Sequence, residues 1–161
     1  MKHKIITAIL LSLVIAVAAV IFILSSQTGE VSGNMSHGVA DEIFSFVESD
    51  YQTEQTLHLF VRKGAHMAEY ALLAFLLCAF VAYTWASMPF YRASLIAWFF
   101  ATLYGVTDEI HQIFVPGRGP SVRDVLINAI GAACGVLALG ILCRLVRKIK
   151  ENHLEKKESA I

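Results

Sequence analysis

The chain has 161 residues, 57% hydrophobic and 16% charged, with 13 Lys+Arg balancing 13 Asp+Glu. A soluble domain is nearer half apolar and a quarter charged, so the apolar excess belongs to membrane segments. A net charge of zero supplies no basic surface for nucleic acid, and no nucleic-acid partner is expected.

In chain order, the first element is Ile5–Leu24, an apolar run without a charged residue, preceded by Lys2 and Lys4. Its length exceeds a typical signal-peptide core, and no A-x-A-like site follows, since the next residues are Ser25-Ser26-Gln27. It is therefore read as an uncleaved anchor. The 25–61 segment carries Glu30, Asp41, Glu42, Glu48, Asp50 and Glu54 and neither Lys nor Arg. Ser25–Ser36 is rich in Ser, Gly, Asn and Thr and reads as irregular. Val39, Ile43, Phe46 and Val47 then recur at helical spacing, which predicts a short amphipathic helix on the outer membrane interface. A loop helix packed over the mouth of a bundle is the alternative.

Gly64–Ser87 is apolar except for His66 and Glu69, Ala93–Val115 except for a polar cluster near its end, and Val122–Cys143 except for Arg123, Asp124 and Asn128. About 20 mostly apolar residues cross a bilayer core. The expected fold is thus all-α: an integral membrane bundle of four transmembrane helices over about 5–24, 64–87, 93–115 and 122–143, followed by a charged tail at 151–161. Arg92 and the group Arg144, Arg147, Lys148 and Lys150 join Lys2 and Lys4 in placing both termini in the cytoplasm by the positive-inside rule. Arg62, Lys63, Arg118 and Arg123 count against that topology, with acidic neighbours as local partners. The expected location is a bacterial plasma membrane, multi-pass, with the bilayer as partner and a homo-oligomer as an open alternative. Cys78, Cys134 and Cys143 lie in or at the end of apolar runs and read as packing residues rather than a disulfide framework. Gly131 and Gly135, one turn apart, read as close-packing residues of the fourth span.

The polar residues inside these runs carry the functional reading. A charge near a bilayer centre costs roughly 3 kcal/mol or more. Under the expected topology, His66 and Glu69 lie near the outer edge of the second span. Asp108, Glu109, His111 and Gln112 lie near the outer end of the third, and Asp124 and Asn128 near the outer start of the fourth. Three helices place polar groups at one level. Helical spacing puts Arg62, Lys63, His66, Glu69 and Tyr70 on one face, and Tyr104, Asp108, His111 and Gln112 on another. If these faces converge they form a joint pocket at the outer face, with Arg118 from the Pro116-Gly117-Arg118 turn.

Two roles follow. Glu69, Asp108, Glu109 and His66 are the candidates for acid and base steps. Arg62, Lys63, Tyr70, His111, Gln112, Arg118, Asp124 and Asn128 are candidates for ligand binding, the cations for phosphate or carboxylate. Each residue taken alone is as readily a packing or interface group. His66-x-x-Glu69 and Asp108-x-x-His111 each place an imidazole and a carboxylate on one face, as dinuclear bundles do. Those bundles use Glu-x-x-His, so the first pair runs in reverse; a metal at His66, Glu69, Asp108 and His111 is an alternative and none is assigned. No Gly-rich phosphate loop or Gly-x-Ser-x-Gly elbow occurs, and no cofactor is expected.

Arg62-Lys63-Gly64-Ala65-His66-Met67-Ala68-Glu69-Tyr70 resembles the R-K-x-x-H-x-x-E-Y signature of VanZ-like membrane proteins. Thr107-Asp108-Glu109-Ile110-His111-Gln112-Ile113-Phe114-Val115-Pro116-Gly117-Arg118 is similar to that family's T-D-E-x-x-Q-x-F-x-P-G-R block, and Asp124 through Gly131 to its D-x-x-x-N-x-x-G block. Ser25-Ser26-Gln27 after the first span also fits. The likeness runs from about Leu24 to Leu139. It implies a cell-envelope protein, with an effect on susceptibility to the glycopeptide teicoplanin, for which the family's namesake is known. Three functions follow as expectations: binding of a lipid-linked or cell-wall-related anionic ligand at the outer face, an intramembrane acid/base enzyme acting on such a substrate, or a proton-coupled transporter. The last is weakest, because the inner halves of all four runs are apolar.

Overall fold

The computed structural model describes residues 1–44 and 51–158. Five helices follow one another: α1 (Lys2–Ser25), α2 (Gly29–Phe44), α3 (Tyr51–Thr84), α4 (Phe90–Gln112) and α5 (Val122–Glu158). No strand occurs among the described residues, and the all-α expectation holds.

Lys2–Ser25, Thr53–Thr84 and Val122–Lys157 are each long and apolar enough to cross a membrane. The helix expected as the third span is present but is not one of these. Between Arg92 and the Asp108/Glu109 pair, α4 has only a short wholly uncharged stretch, diluted by Trp98 and Tyr104. Helix boundaries also shift. The second apolar run begins inside a helix that starts at Tyr51 rather than near Gly64, and the third ends at Gln112 rather than Val115. The fourth continues unbroken to Glu158, because nothing between Cys143 and Glu158 is Gly or Pro.

The expectation that Ser25–Ser36 is irregular is corrected: α2 is helical from Gly29. Thr28 starts it, its hydroxyl accepting the Val31 N–H at 3.4 Å and its carbonyl the Ser32 N–H at 3.0 Å. That N-cap, together with packing against α3, outweighs the poor helix propensity of Ser32, Gly33 and Asn34. Of the expected amphipathic stripe, Val39 and Ile43 are exposed while Ala40 is the buried residue; Phe46 and Val47 lie outside the described residues.

The bundle is built around α3 and α5. A Cβ on Gly131 would meet the backbone carbonyl of Met67, and one on Gly135 that of Ala71. The two backbones therefore touch, as small residues at a membrane helix interface permit. On α4, Ala93, Ala97, Ala101 and Gly105 recur every four residues and are buried, giving the same close approach on a second face. Side chains also bond across helices to backbone carbonyls, Trp98 Nε1 to Ala129 at 3.0 Å and the Tyr104 hydroxyl to Ala18 at 2.7 Å. The peripheral helix α1 buries only Val14, Ile21 and Ser25. Large apolar side chains cover the outside, among them Leu95, Phe99, Phe100, Ile130, Leu137 and Ile141. A surface so continuously apolar suits lipid and not water. Cys78 is buried, as expected of a packing residue, but Cys134 and Cys143 are exposed on this outer surface.

Candidate functional site

One turn organises the polar end. Gly117 adopts φ +74°, the left-handed region that glycine alone enters without strain, so the chain reverses sharply after Pro116. The Pro116 carbonyl accepts the Gly29 N–H at 3.0 Å. A Cβ on Gly29 would strike the Gly117 carbonyl. The turn after α4 is thereby locked to the start of α2.

From this turn Arg118 reaches back to the end of α1. Its Nε donates to the Gln27 carbonyl at 3.2 Å, one terminal nitrogen to the Leu24 carbonyl at 3.4 Å, and the other to Gln112 Oε1 at 3.4 Å. The Gln112 amide nitrogen in turn donates to Ser25 Oγ at 3.0 Å and to Asp108 Oδ2 at 3.1 Å. A glutamine with all its polar atoms engaged is rigid, and here it joins a buried carboxylate to a guanidinium. A guanidinium has five N–H groups, so these three bonds leave two for another acceptor. Burial first, and then the like charge of Arg62, lower the Arg118 pKa; both work against the cation and are relieved by a nearby anion.

Arg62, His66, Glu69 and Arg118 together line a cavity of about 160 Å³. α2 covers it with Ser32, Met35, Ser36 and Val39, the alternative arrangement for this helix in which it packs over the bundle mouth. His66 Nδ1 stands 3.7 Å from Glu69 Oε2, too far for a hydrogen bond, and has no other partner in the protein. Asp108 lies behind the cavity, 5% exposed, within electrostatic reach of His66, Glu69, Tyr70, Glu109 and Arg118.

Deeper still, Tyr70 and Asn128 are fully buried. They meet across Gly105, where a Cβ would come within 3.3 Å of both side chains. Both amide atoms of Asn128 pair with nothing in the protein, and the Tyr70 hydroxyl lies beside Asp108 without a hydrogen bond of good geometry. Such groups are uncommon in a folded interior and call for an explanation beyond packing.

The remaining expected residues lie elsewhere. Glu109 is buried and its Oε2 accepts the Ser121 N–H at 2.9 Å, which caps the start of α5. His111 turns toward α1, its Nε2 3.1 Å from Ser26 Oγ and its ring 4.7 Å from that of Phe22. Lys63 and Asp124 form a half-exposed ion pair at 3.1 Å between α3 and α5. Among the described residues no group of three or more His, Cys, Asp or Glu is placed to hold a metal ion, because His111 points away from the cavity that His66 and Glu69 share. Sequence reasoning assigned no role to Ser25 or Gln27, yet both contact the site, through Gln112 and Arg118, while Ser26 holds His111 outside it. Their signal was a polar triplet directly after an apolar run.

No curated protein and no solved structure showed significant similarity to the chain. A family model described as VanZ/LLP1 matches residues 10–144. That stretch contains α2, α3, α4 and every residue of the cavity, and the chain belongs to the VanZ family of membrane proteins.

Proposed function

We propose that this is a multi-pass plasma-membrane protein whose cavity at the outer face binds the anionic head of a lipid-linked or cell-wall-related ligand. The observation that carries the reading is the convergence of Arg62 and Arg118 with His66 and Glu69 in one cavity under α2. Phosphate and carboxylate suit a guanidinium because its planar fork gives paired N–H donors.

The topology in this proposal has α4 as a fourth crossing. Short turns join α4 to α3 and to α5, and α4 packs against both. If its neighbours cross, a helix tied to opposite ends of each crosses too. At 1.5 Å per residue, its 23 residues extend about 34 Å, enough for a core of about 30 Å. Four crossings return the C-terminus to the side of the N-terminus, and the basic residues near both make that side the cytoplasm.

The test is binding of undecaprenyl-phosphate-type lipids to purified protein in nanodiscs. Arg62→Gln and Arg118→Gln should each weaken binding about tenfold or more, the scale of a charge-assisted bond of about 1.5–3 kcal/mol. Altered teicoplanin susceptibility on deletion is the matching cellular readout. Wild-type protein with no preference for anionic polyprenyl lipids over neutral ones overturns the reading.

A second reading, acid/base chemistry on the bound lipid, is favoured by one observation: His66 Nδ1 beside Glu69 has no hydrogen-bond partner. Turnover of a bound substrate that disappears in both His66→Gln and Glu69→Gln would support it. Binding without any covalent change would leave the binding function alone.

A further inference from the structure

We propose that a groove between α4 and α5, remote from the polar cavity, holds one acyl chain of an anionic phospholipid with its phosphate on Arg144. The groove measures about 660 Å³, and Phe90, Leu95, Trp98, Ala133, Leu137 and Ile141 make up most of its apolar wall. Arg144 and Tyr91 also line it.

Length and charge identify the occupant. Along α5 the groove runs from Ala133 to Arg144, about 16 Å at 1.5 Å per residue. That is the depth of one leaflet, about half of a 30 Å core. Its deep end is dry: Trp98 satisfies its indole N–H on the Ala129 carbonyl and presents only the ring. Gly140 lets the Phe90 ring pack close against α5 as part of the wall, since a Cβ there would come within 3.3 Å of that ring.

The shallow end is cationic. Arg144 lines it, and Arg92 donates at 3.1 Å to the hydroxyl of Tyr91, which lines it too. No carboxylate pairs with either guanidinium among the described residues. A second copy of this chain docking symmetrically here would bring like cations together, since a two-fold interface is self-complementary. A lipid with a phosphate and net negative charge meets both the apolar wall and the cations. Asn128 lies sixteen residues before Arg144 in α5, about 24 Å along the helix axis. The groove thus faces the leaflet opposite the cavity.

Native mass spectrometry of the full chain in detergent, offered phosphatidylglycerol or phosphatidylcholine, tests this. One phosphatidylglycerol should be retained about fivefold better, the worth of one arginine beside an anionic head. Arg144→Gln should abolish that preference, and Leu137→Trp, which fills the groove from its exposed side, should lower retention of both lipids. Lys2→Gln, the same charge change on α1, should leave the preference as in the wild type. Equal retention of the two lipids, a preference that survives Arg144→Gln, or a lipid-free dimer that covers Leu137 would overturn the proposal.

Discussion

Arg118 donates its Nε–H to the backbone carbonyl of Gln27 at 3.2 Å, tying the turn before α5 to the turn after α1. These residues are 91 positions apart, and with the Leu24 and Gln112 bonds the contact closes the polar end of the bundle. Arg118→Met is expected to destabilise the fold by about 1–3 kcal/mol, the cost of leaving partly buried acceptors without a donor. It should also release α2, which limited proteolysis within residues 29–44 would report. Wild-type melting and wild-type protease resistance together would show that the guanidinium does not hold this end.

Glycine substitutions should divide sharply by position. Gly135→Ala drives a methyl into the Ala71 carbonyl and is expected to cost about 1–3 kcal/mol, as overpacking does. Gly33→Ala, in α2, meets open space and is expected to stabilise by about 0.4–1 kcal/mol by restricting the unfolded chain. Thermal melts in one detergent compare them directly. Equal melting of the two variants would mean that α3 and α5 do not touch through their backbones.

Tyr70→Phe removes a buried hydroxyl that lies beside Asp108 but makes no hydrogen bond of good geometry to it. Removing one partner of a bond is costly, but removing an unpaired group is neutral or stabilising. The variant is expected to melt at or above the wild-type temperature while losing ligand binding, because the hydroxyl lies beside Asp108 behind the cavity. A drop in stability would show that the hydroxyl is bonded in the folded protein.

Glu109→Ala is expected to cost about 0.5–2 kcal/mol, the range for loss of a helix cap, since its carboxylate accepts the Ser121 N–H. Function should persist below the melting temperature, in contrast to Glu69→Ala, whose side chain lines the cavity. The pair of variants is read by circular dichroism and by the binding assay. Loss of binding in Glu109→Ala at full helicity would move this carboxylate into the site.

Apolar runs with isolated charges determined by themselves that the chain is helical and suited to a bilayer, because a charge in hydrocarbon is rare enough to be informative. Helical periodicity likewise placed Arg62, His66 and Glu69 on one face of α3, since 3.6 residues per turn follows from the backbone alone. Small residues at Gly131 and Gly135 announced a close contact. Which of the equally polar residues face one another was not legible. His66, Glu69 and Arg118 converge while Glu109 and His111 turn to Ser121 and Ser26. That sorting depends on how the helices rotate about their axes, which backbone contacts such as Gly131 with Met67 decide. The helix α2 was also hidden, because Ser, Gly and Asn disfavour a helix until a cap and a packing surface outweigh propensity. Local chemistry settled the elements and the candidate residues. Contacts between distant parts of the chain, Arg118 with Gln27 above all, decided which candidates form a site.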